Sequence, residues 1–435
     1  MSPLRPLLAL GVVVGLALPA AANAYTISTG PGGELYWDQA QVYAQSDGRI
    51  PYWIQYEGTD DLSFLHEHVL RQSLLAWVEV DGVDLHFFEQ RVDTLEAAFH
   101  PTEEDAADKR VLLFYLEEDW PYDDNTIGLT LVTFNGAGRI IDADIGFNGV
   151  DFEFSLNDDP ADVDLLSVAT HEVGHLLGIG HSEFEDATMW ATLLDGVEAR
   201  TLSEDDEAAA RHLYPCEDTC RSIVDWRPRS TGVSCATAGP GVGLAVVLLT
   251  LGGLALRRRW TLVMVVCLAA MTTPRFVPEA ESTLVERLDM DRLVAAADRV
   301  VRATVRDVEA YPRGHVYSRI TLDVTEDLAG TGEGTVVIEQ PGGVLDAPTD
   351  TGVYGTVALG FASFEAGEDV VVFLADDERG ARVVGLAQGK LGVDEAGELT
   401  RDLSGLALTA IPGRPPLTVD LPSNLDGLRA ALVGR

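Results

Sequence analysis

The stretch HEVGHLLGIGH, His171 to His181, constrains this chain more than any other part of it. Histidines four residues apart on a helix project from one face, so the rings of His171 and His175 reach a common point. Glu172 follows the first of them and brings a carboxylate to the same place. Gly178 is expected to end the helix, because glycine takes left-handed backbone at little cost. The chain then turns back and delivers His181 as a third imidazole. Three protein donors suit a zinc ion with an open fourth position, whereas a structural zinc takes four. With 9 His and 42 Gly in 435 residues, the full pattern arises by chance in roughly one chain in 10⁴–10⁵.

HExxHxxGxxH followed by a methionine turn is the signature of the metzincin metallopeptidases, and this chain resembles their matrixin branch. Ser182 follows the third histidine, and Met189 falls in DATMW where the Met-turn methionine is expected. LSEDDEAAARHLY, Leu202 to Tyr214, resembles the last helix of such a catalytic domain. GRIPYWIQYEG resembles its first strand, and QSLLAWVEVDGVDLHF its first helix and second strand. Gly128 to Asn148 resembles the edge strand that lines the cleft and the strand after it. The likeness covers about residues 45–215.

The resemblance implies an α+β catalytic domain, with a twisted mixed sheet and long helices. It implies one catalytic zinc on His171, His175 and His181, with Met189 as an apolar floor beneath them. It implies hydrolysis of protein or peptide substrates by metal-activated water, with Glu172 as general base. A catalytically inactive, protease-like surface protein that uses its β-rich half for binding is the alternative, and the intact Glu172 argues against it. His212 falls at no ligand position and is expected on a helix surface.

The departures from the family are equally specific. No histidine occurs between His100 and His171, so the second, structural zinc of the family is expected to be missing. All four cysteines (Cys216, Cys220, Cys235 and Cys267) follow the histidine motif, so a cysteine-bearing inhibitory propeptide is missing too. Trp190-Ala191 stands where Tyr-Pro is usual. Asp142, Asp144, Asp151, Asp158 and Asp159 are candidates for calcium, which takes carboxylate and carbonyl oxygens; a solvated acidic loop is the competing reading.

Residues 1–24 have Arg5, an apolar core and Ala-Asn-Ala, which reads as a cleaved signal peptide. The chain is expected to be exported, extracellular or anchored at a cell surface, with 25–216 as the metallopeptidase domain. Export permits disulfides, and Cys216 and Cys220 are candidates to pair with each other or with Cys235. Residues 217–238 form a Cys-containing linker. Gly239 to Trp260 is an apolar stretch of bilayer-spanning length ending in three arginines, and membrane association is expected there. The layout resembles bacterial C-terminal sorting tails, yet the chain continues. Residues 261–283 look like a second, short signal-like segment. Residues 284–435 alternate apolar and polar positions between Gly, Asp and Pro, which signals a separate small antiparallel β-sandwich or barrel. Its lone histidine, His315, is expected to be solvated. A net charge of −40 excludes nucleic-acid binding through phosphate contacts.

Overall fold

The computed structural model describes residues 25–38, 48–55, 62, 65–90, 111–156, 163–190, 200–216, 223–225 and 283–433, without 314, 333, 350–351, 378, 404–405 and 410–420. The expected signal peptide, most of the linker and the apolar segment 239–260 lie outside these residues. Among the described residues no helix is long and apolar enough to cross a membrane.

The first half begins with β1 (Tyr25–Ile27) and then builds a twisted sheet from β2 (Ile50–Ile54), β3 (His86–Glu89), β4 (Val111–Leu116), β5 (Thr126–Phe134) and β6 (Ile140–Asn148). Their spatial order is β3-β2-β4-β6-β5, parallel except for the β5–β6 pair. Helix α1 (His66–Val78) connects β2 to β3. It buries Leu70, Leu74, Trp77 and Val78, a stripe at three- and four-residue spacing. That stripe packs on one sheet face with Tyr52, Leu113, Tyr115, Ile145 and Phe147, and with Val168, Ala169 and Val173 of α2 (Leu165–Leu176). Each large side chain so buried contributes about 1.5–3 kcal/mol. The opposite face buries the alternate residues in a second cluster: Leu112 and Phe114 of β4, and Leu129 and Leu131 of β5, with Trp120 and Tyr122. After α2 come β7 (Ile179–Ser182), α3 (Glu204–Leu213) and β8 (Ile223–Asp225), which adds to β3.

The second half opens with β9 (Thr283–Glu286) and the short helix α4 (Met290–Ala296). Long strands β10 (Arg299–Arg313) and β11 (His315–Ala329) form a hairpin, followed by β12 (Thr335–Pro341). Farther on are β13 (Gly355–Ala358), β14 (Asp369–Asp377), β15 (Gly380–Val383), β16 (Lys390–Val393), β17 (Leu399–Thr400) and β18 (Leu406–Thr409). Strands β10, β11, β12, β15 and β14 close into a ring, because β14 also pairs with β10. Period-two alternation explains both surfaces of that ring. Val301, Ala303, Val305, Ile320, Leu322, Ile338, Val370 and Val372 fill its inside. Val300, Val371 and Phe373 point outward and bury Leu293 of α4 and Leu428 and Leu432 of α5 (Leu425–Leu432).

The two halves share one sheet, which the sequence pattern did not foretell. β9 and β13 both pair antiparallel with β5, and β18 runs beside β9. The strand that resembled a cleft edge is therefore interior. His315 also departs from expectation. It is buried, with 3% exposure, because Nδ1 meets Thr133 Oγ1 at 2.9 Å and Nε2 lies 3.4 Å from Asp144 Oδ2.

Candidate metal centre

Helix α2 starts at Asp164, whose carboxylate accepts from Ser167 N at 2.9 Å and from Ser167 Oγ at 2.6 Å. Arg200 clamps the same carboxylate, at 2.9 Å and 2.5 Å. The other end of the helix is closed by aromatic donors. Trp37 Nε1 donates to Leu176 O at 2.9 Å, and Tyr214 Oη donates to Leu177 O at 2.6 Å. These satisfy carbonyls that a helix terminus otherwise leaves without partners. Gly178 then takes φ +88°, and a Cβ there would sit 2.2 Å from Leu35 O. Conformation and space both demand glycine, as the sequence suggested. The reversal sends the chain into β7, which carries His181. Thr26 of β1 fastens this strand by donating from Oγ1 to His181 O at 2.8 Å.

The three histidines meet as expected. Their potential ligand atoms all lie within 4.8 Å of one another, and the rings are buried. Nδ1 of His171 lies 2.7 Å from Thr188 O, and Nδ1 of His175 lies 2.9 Å from Ile179 O. With the Nδ1 hydrogens donated to these carbonyls, both Nε2 atoms present lone pairs, and they stand 2.9 Å apart. A shared cation satisfies that arrangement, and carbonyl-oriented imidazoles are its usual partners. Burial also holds the rings neutral, the state that ligates a metal. It pushes His171 down to about 4, and burial with the neighbouring His171 keeps His175 well below the ordinary imidazole value. The donor set therefore fits one zinc ion.

Glu172 is buried beside this point. Its Oε2 accepts from Thr130 Oγ1 of β5 at 2.5 Å. Gly128, on the same strand, leaves room for it: a Cβ there would lie 3.3 Å from Glu172 Oε1 and 3.1 Å from Val168. Met189, expected as a floor beneath the rings, lies in the turn after β7. It is fully buried against Gly174 of α2, where an added Cβ would fall 2.2 Å from its sulfur. Asp206 of α3 fixes the turn that carries Met189, accepting from Thr188 N at 2.8 Å, Met189 N at 3.0 Å and Ser203 N at 2.8 Å. Burial raises the Asp206 carboxyl, and those backbone donors act in the opposite sense. Ser182 donates to Asp205 Oδ2 at 2.7 Å. His212 lies on the surface of α3, 2.9 Å from Glu34 Oε1.

Thr130, Gly174 and Asp206 are site residues that the sequence reading missed. Nothing in the histidine motif marks Thr130, which arrives through sheet packing 42 residues away in sequence. Asp206 was visible only as the third helical residue after Ser203, a capping-box position.

The calcium candidates divide. Asp144 accepts from Leu112 N at 2.9 Å, and Asp151 accepts from Asn148 Nδ2 at 2.9 Å. Asp142 is buried on β6, and Asp158 and Asp159 lie outside the described residues. Among the described residues, His171, His175 and His181 form the one convergent group of metal-binding side chains. Cys216 is in a disulfide.

Fold and site together define a helix-borne, three-histidine metal centre with a carboxylate alongside. Residues 19–215 match the family model described as Matrixin. Over 52 residues the chain is 52% identical to Metalloendoproteinase 5-MMP of Arabidopsis thaliana, covering 12% of this chain and 14% of that protein. It is 34% identical over 100 residues to Matrilysin of Rattus norvegicus, covering 22% and 35%. It is 37% identical over 99 residues to Karilysin of Tannerella forsythia, covering 22% and 20%. These alignments span about a third or less of each relative. They support a matrix-metalloproteinase-like metzincin domain in the first half.

Proposed function

We propose that this chain is an exported zinc endopeptidase that hydrolyses peptide bonds in protein substrates. One observation carries the reading: the Nε2 atoms of His171 and His175 stand 2.9 Å apart beside His181 and the buried carboxylate of Glu172. His171, His175 and His181 would hold the ion, and bound zinc would supply Lewis acidity at the scissile carbonyl. Glu172 takes the proton from the attacking water and returns it to the leaving amine. Thr130 fixes the carboxylate that does this. The Met189 floor and the carbonyls of Thr188 and Ile179 hold the rings in register. Export rests on the signal-like residues 1–24, and attachment to a membrane on the apolar run 239–260 with its three arginines.

Purified full-length protein, assayed on casein and on a peptide library, tests the proposal. Zinc-loaded chain should cleave, chelator should abolish cleavage, and Glu172→Ala should keep the metal while losing activity. Protein with one zinc per chain that cleaves neither substrate, also when Arg382→Glu breaks the 3.0 Å ion pair that joins the second half to Asp123, overturns the reading.

A further inference from the structure

Strand β5 is buried along its whole length. Helix α2 covers one face, where Gly128 and Thr130 approach Glu172. One edge pairs with β6. The other edge is taken by the second half of the same chain. Leu284 and Val285 of β9 stand opposite Gly128 and Thr126, and Gly355–Ala358 of β13 stands opposite Phe134–Leu131. Thr130, which holds the carboxylate, lies between these two pairings. One way an extended polypeptide binds a protein is by adding a strand to an open sheet edge, where main-chain hydrogen bonds give affinity. Beside Glu172 that edge is β5, and its positions 126, 128 and 131–134 are already paired.

The contact is a built interface. Thr133 Oγ1 lies 2.9 Å from Thr356 Oγ1 of β13 and 2.9 Å from His315 Nδ1. Thr356 Oγ1 accepts in turn from Val316 N at 2.9 Å. Beyond the strand, Asp123 of the first half is enclosed by the second: Arg382 Nη1 at 3.0 Å and Gly385 N at 2.7 Å donate to it. Arg379 Nη1 donates to Trp120 O at 3.2 Å. Phe361 and Ala358 pack on the outer-face cluster of Phe114, Leu129 and Leu131. Separating the halves would leave the buried members of these pairs unsatisfied, which makes the closed arrangement stable.

We infer that the second half is an intramolecular inhibitor: β9 and β13 fill the peptide-binding edge of β5, and the site accepts substrate only when that edge is released. The inference rests on the endopeptidase reading above. The occupant is the chain's own 284–285 and 355–358, and the competitor is an extended substrate polypeptide.

The test uses full-length, zinc-loaded protein, its Arg382→Glu variant and its Thr356→Pro variant. The first places a like charge beside Asp123 and Asp124. The second removes a strand N–H and the hydroxyl that meets Thr133. Hydrogen exchange of residues 126–134, read by mass spectrometry, reports whether the edge is open. The variants should lose protection there and cleave casein on the order of tenfold faster or more, since activity scales with the competent fraction. Wild-type protein that cleaves casein as fast as the variants while 126–134 stays protected overturns the inference and leaves the endopeptidase reading intact. Opened, zinc-loaded variants that cleave nothing take down both. Should neither variant fold, Val132→Cys with Val357→Cys supplies a reversible lock, because these residues face each other in the register. The oxidised form should be inactive and mild reduction should release activity, with wild type in the same reductant as control; equal activity in both states overturns the inference.

Discussion

Replacing Gly174 by alanine should destabilise this protein, although helix propensity alone says the reverse. Gly174 lies inside α2, and alanine gains about 1 kcal/mol over glycine in a helix interior. The structure sets packing against that gain. A Cβ at 174 would lie 2.2 Å from Met189 Sδ, 2.9 Å from Met189 Cε and 2.8 Å from Trp77 Cζ2. Ordinary carbon contacts begin near 3.5 Å, so the methionine sulfur would have to retreat by about 1.3 Å (3.5 less 2.2). Trp77 is unable to yield easily, because its Nε1 donates to Thr170 O at 2.9 Å. Overpacking of this kind costs about 1–3 kcal/mol, so the net effect is a loss of up to about 2 kcal/mol. Urea denaturation of chelated protein measures it, and competition with a chelating dye measures the accompanying loss of zinc affinity. A double-mutant cycle sharpens the test. Met189→Ala alone should cost about 2–5 kcal/mol through the cavity it opens. Adding Gly174→Ala to it should then restore stability, because the new methyl enters that cavity. If Gly174→Ala stabilises both backgrounds equally, propensity alone governs the position and the described packing of Met189 against α2 is wrong.

Three further outcomes follow from the site. Asp206→Ala strands the N–H groups of Thr188, Met189 and Ser203, each at a cost of about 1–3 kcal/mol; urea denaturation should show the loss, and Asp206→Asn should recover part of it. Thr130→Val keeps the volume and removes the hydrogen bond to Glu172, so kcat should fall on the order of tenfold or more with KM nearly unchanged, as loss of a bond to a charged group implies; an unchanged kcat would deny Thr130 its positioning role. In metal-free protein, unfolded imidazoles take up protons below about 6.5, whereas buried His171 resists until about 4. Stability is therefore present above 6.5 and lost as pH falls toward 4, by about 1.4 kcal/mol per unit for this histidine; thermal unfolding should show the slope, and His171→Asn should flatten it.

The histidine centre was legible because its parts are local. His171, Glu172 and His175 sit on one helical turn, and Gly178 and His181 follow within a single reversal. Met189 was readable from its distance past His181. Thr130 and Gly128 were not, since their approach to Glu172 depends on which strand packs over α2. The β-rich half divided in the same way. Alternation announced the ring interior at Val301, Ala303 and Val305, which lie on one long strand. It gave no sign that Gly355–Ala358 leaves the ring for another sheet, because four residues carry too little pattern to name a partner. His315 looked like a polar strand residue of the second half. Its burial comes from Thr133 and Asp144 of the first half, a pairing that spacing along the chain does not encode.

The seam along β5 also sets an order of assembly. The β5–β6 hairpin closes within a few residues, and all three histidines follow soon afterwards in the chain. The polar contacts across the seam link residues 182 and 223 positions apart. Such distant pairings form late, because the chain must first close a long loop. Synthesis from the N-terminus presents residues 111–216 to folding well before 355–358 exist. A nascent chain therefore passes through a stage in which the histidines and Glu172 are assembled and the outer edge of β5 is bare. During that interval the edge is open to any strand nearby, including one from a neighbouring nascent chain. If the second half inhibits as inferred, the half-made molecule would be more reactive than the complete one, and zinc supply and translation rate should both matter most then.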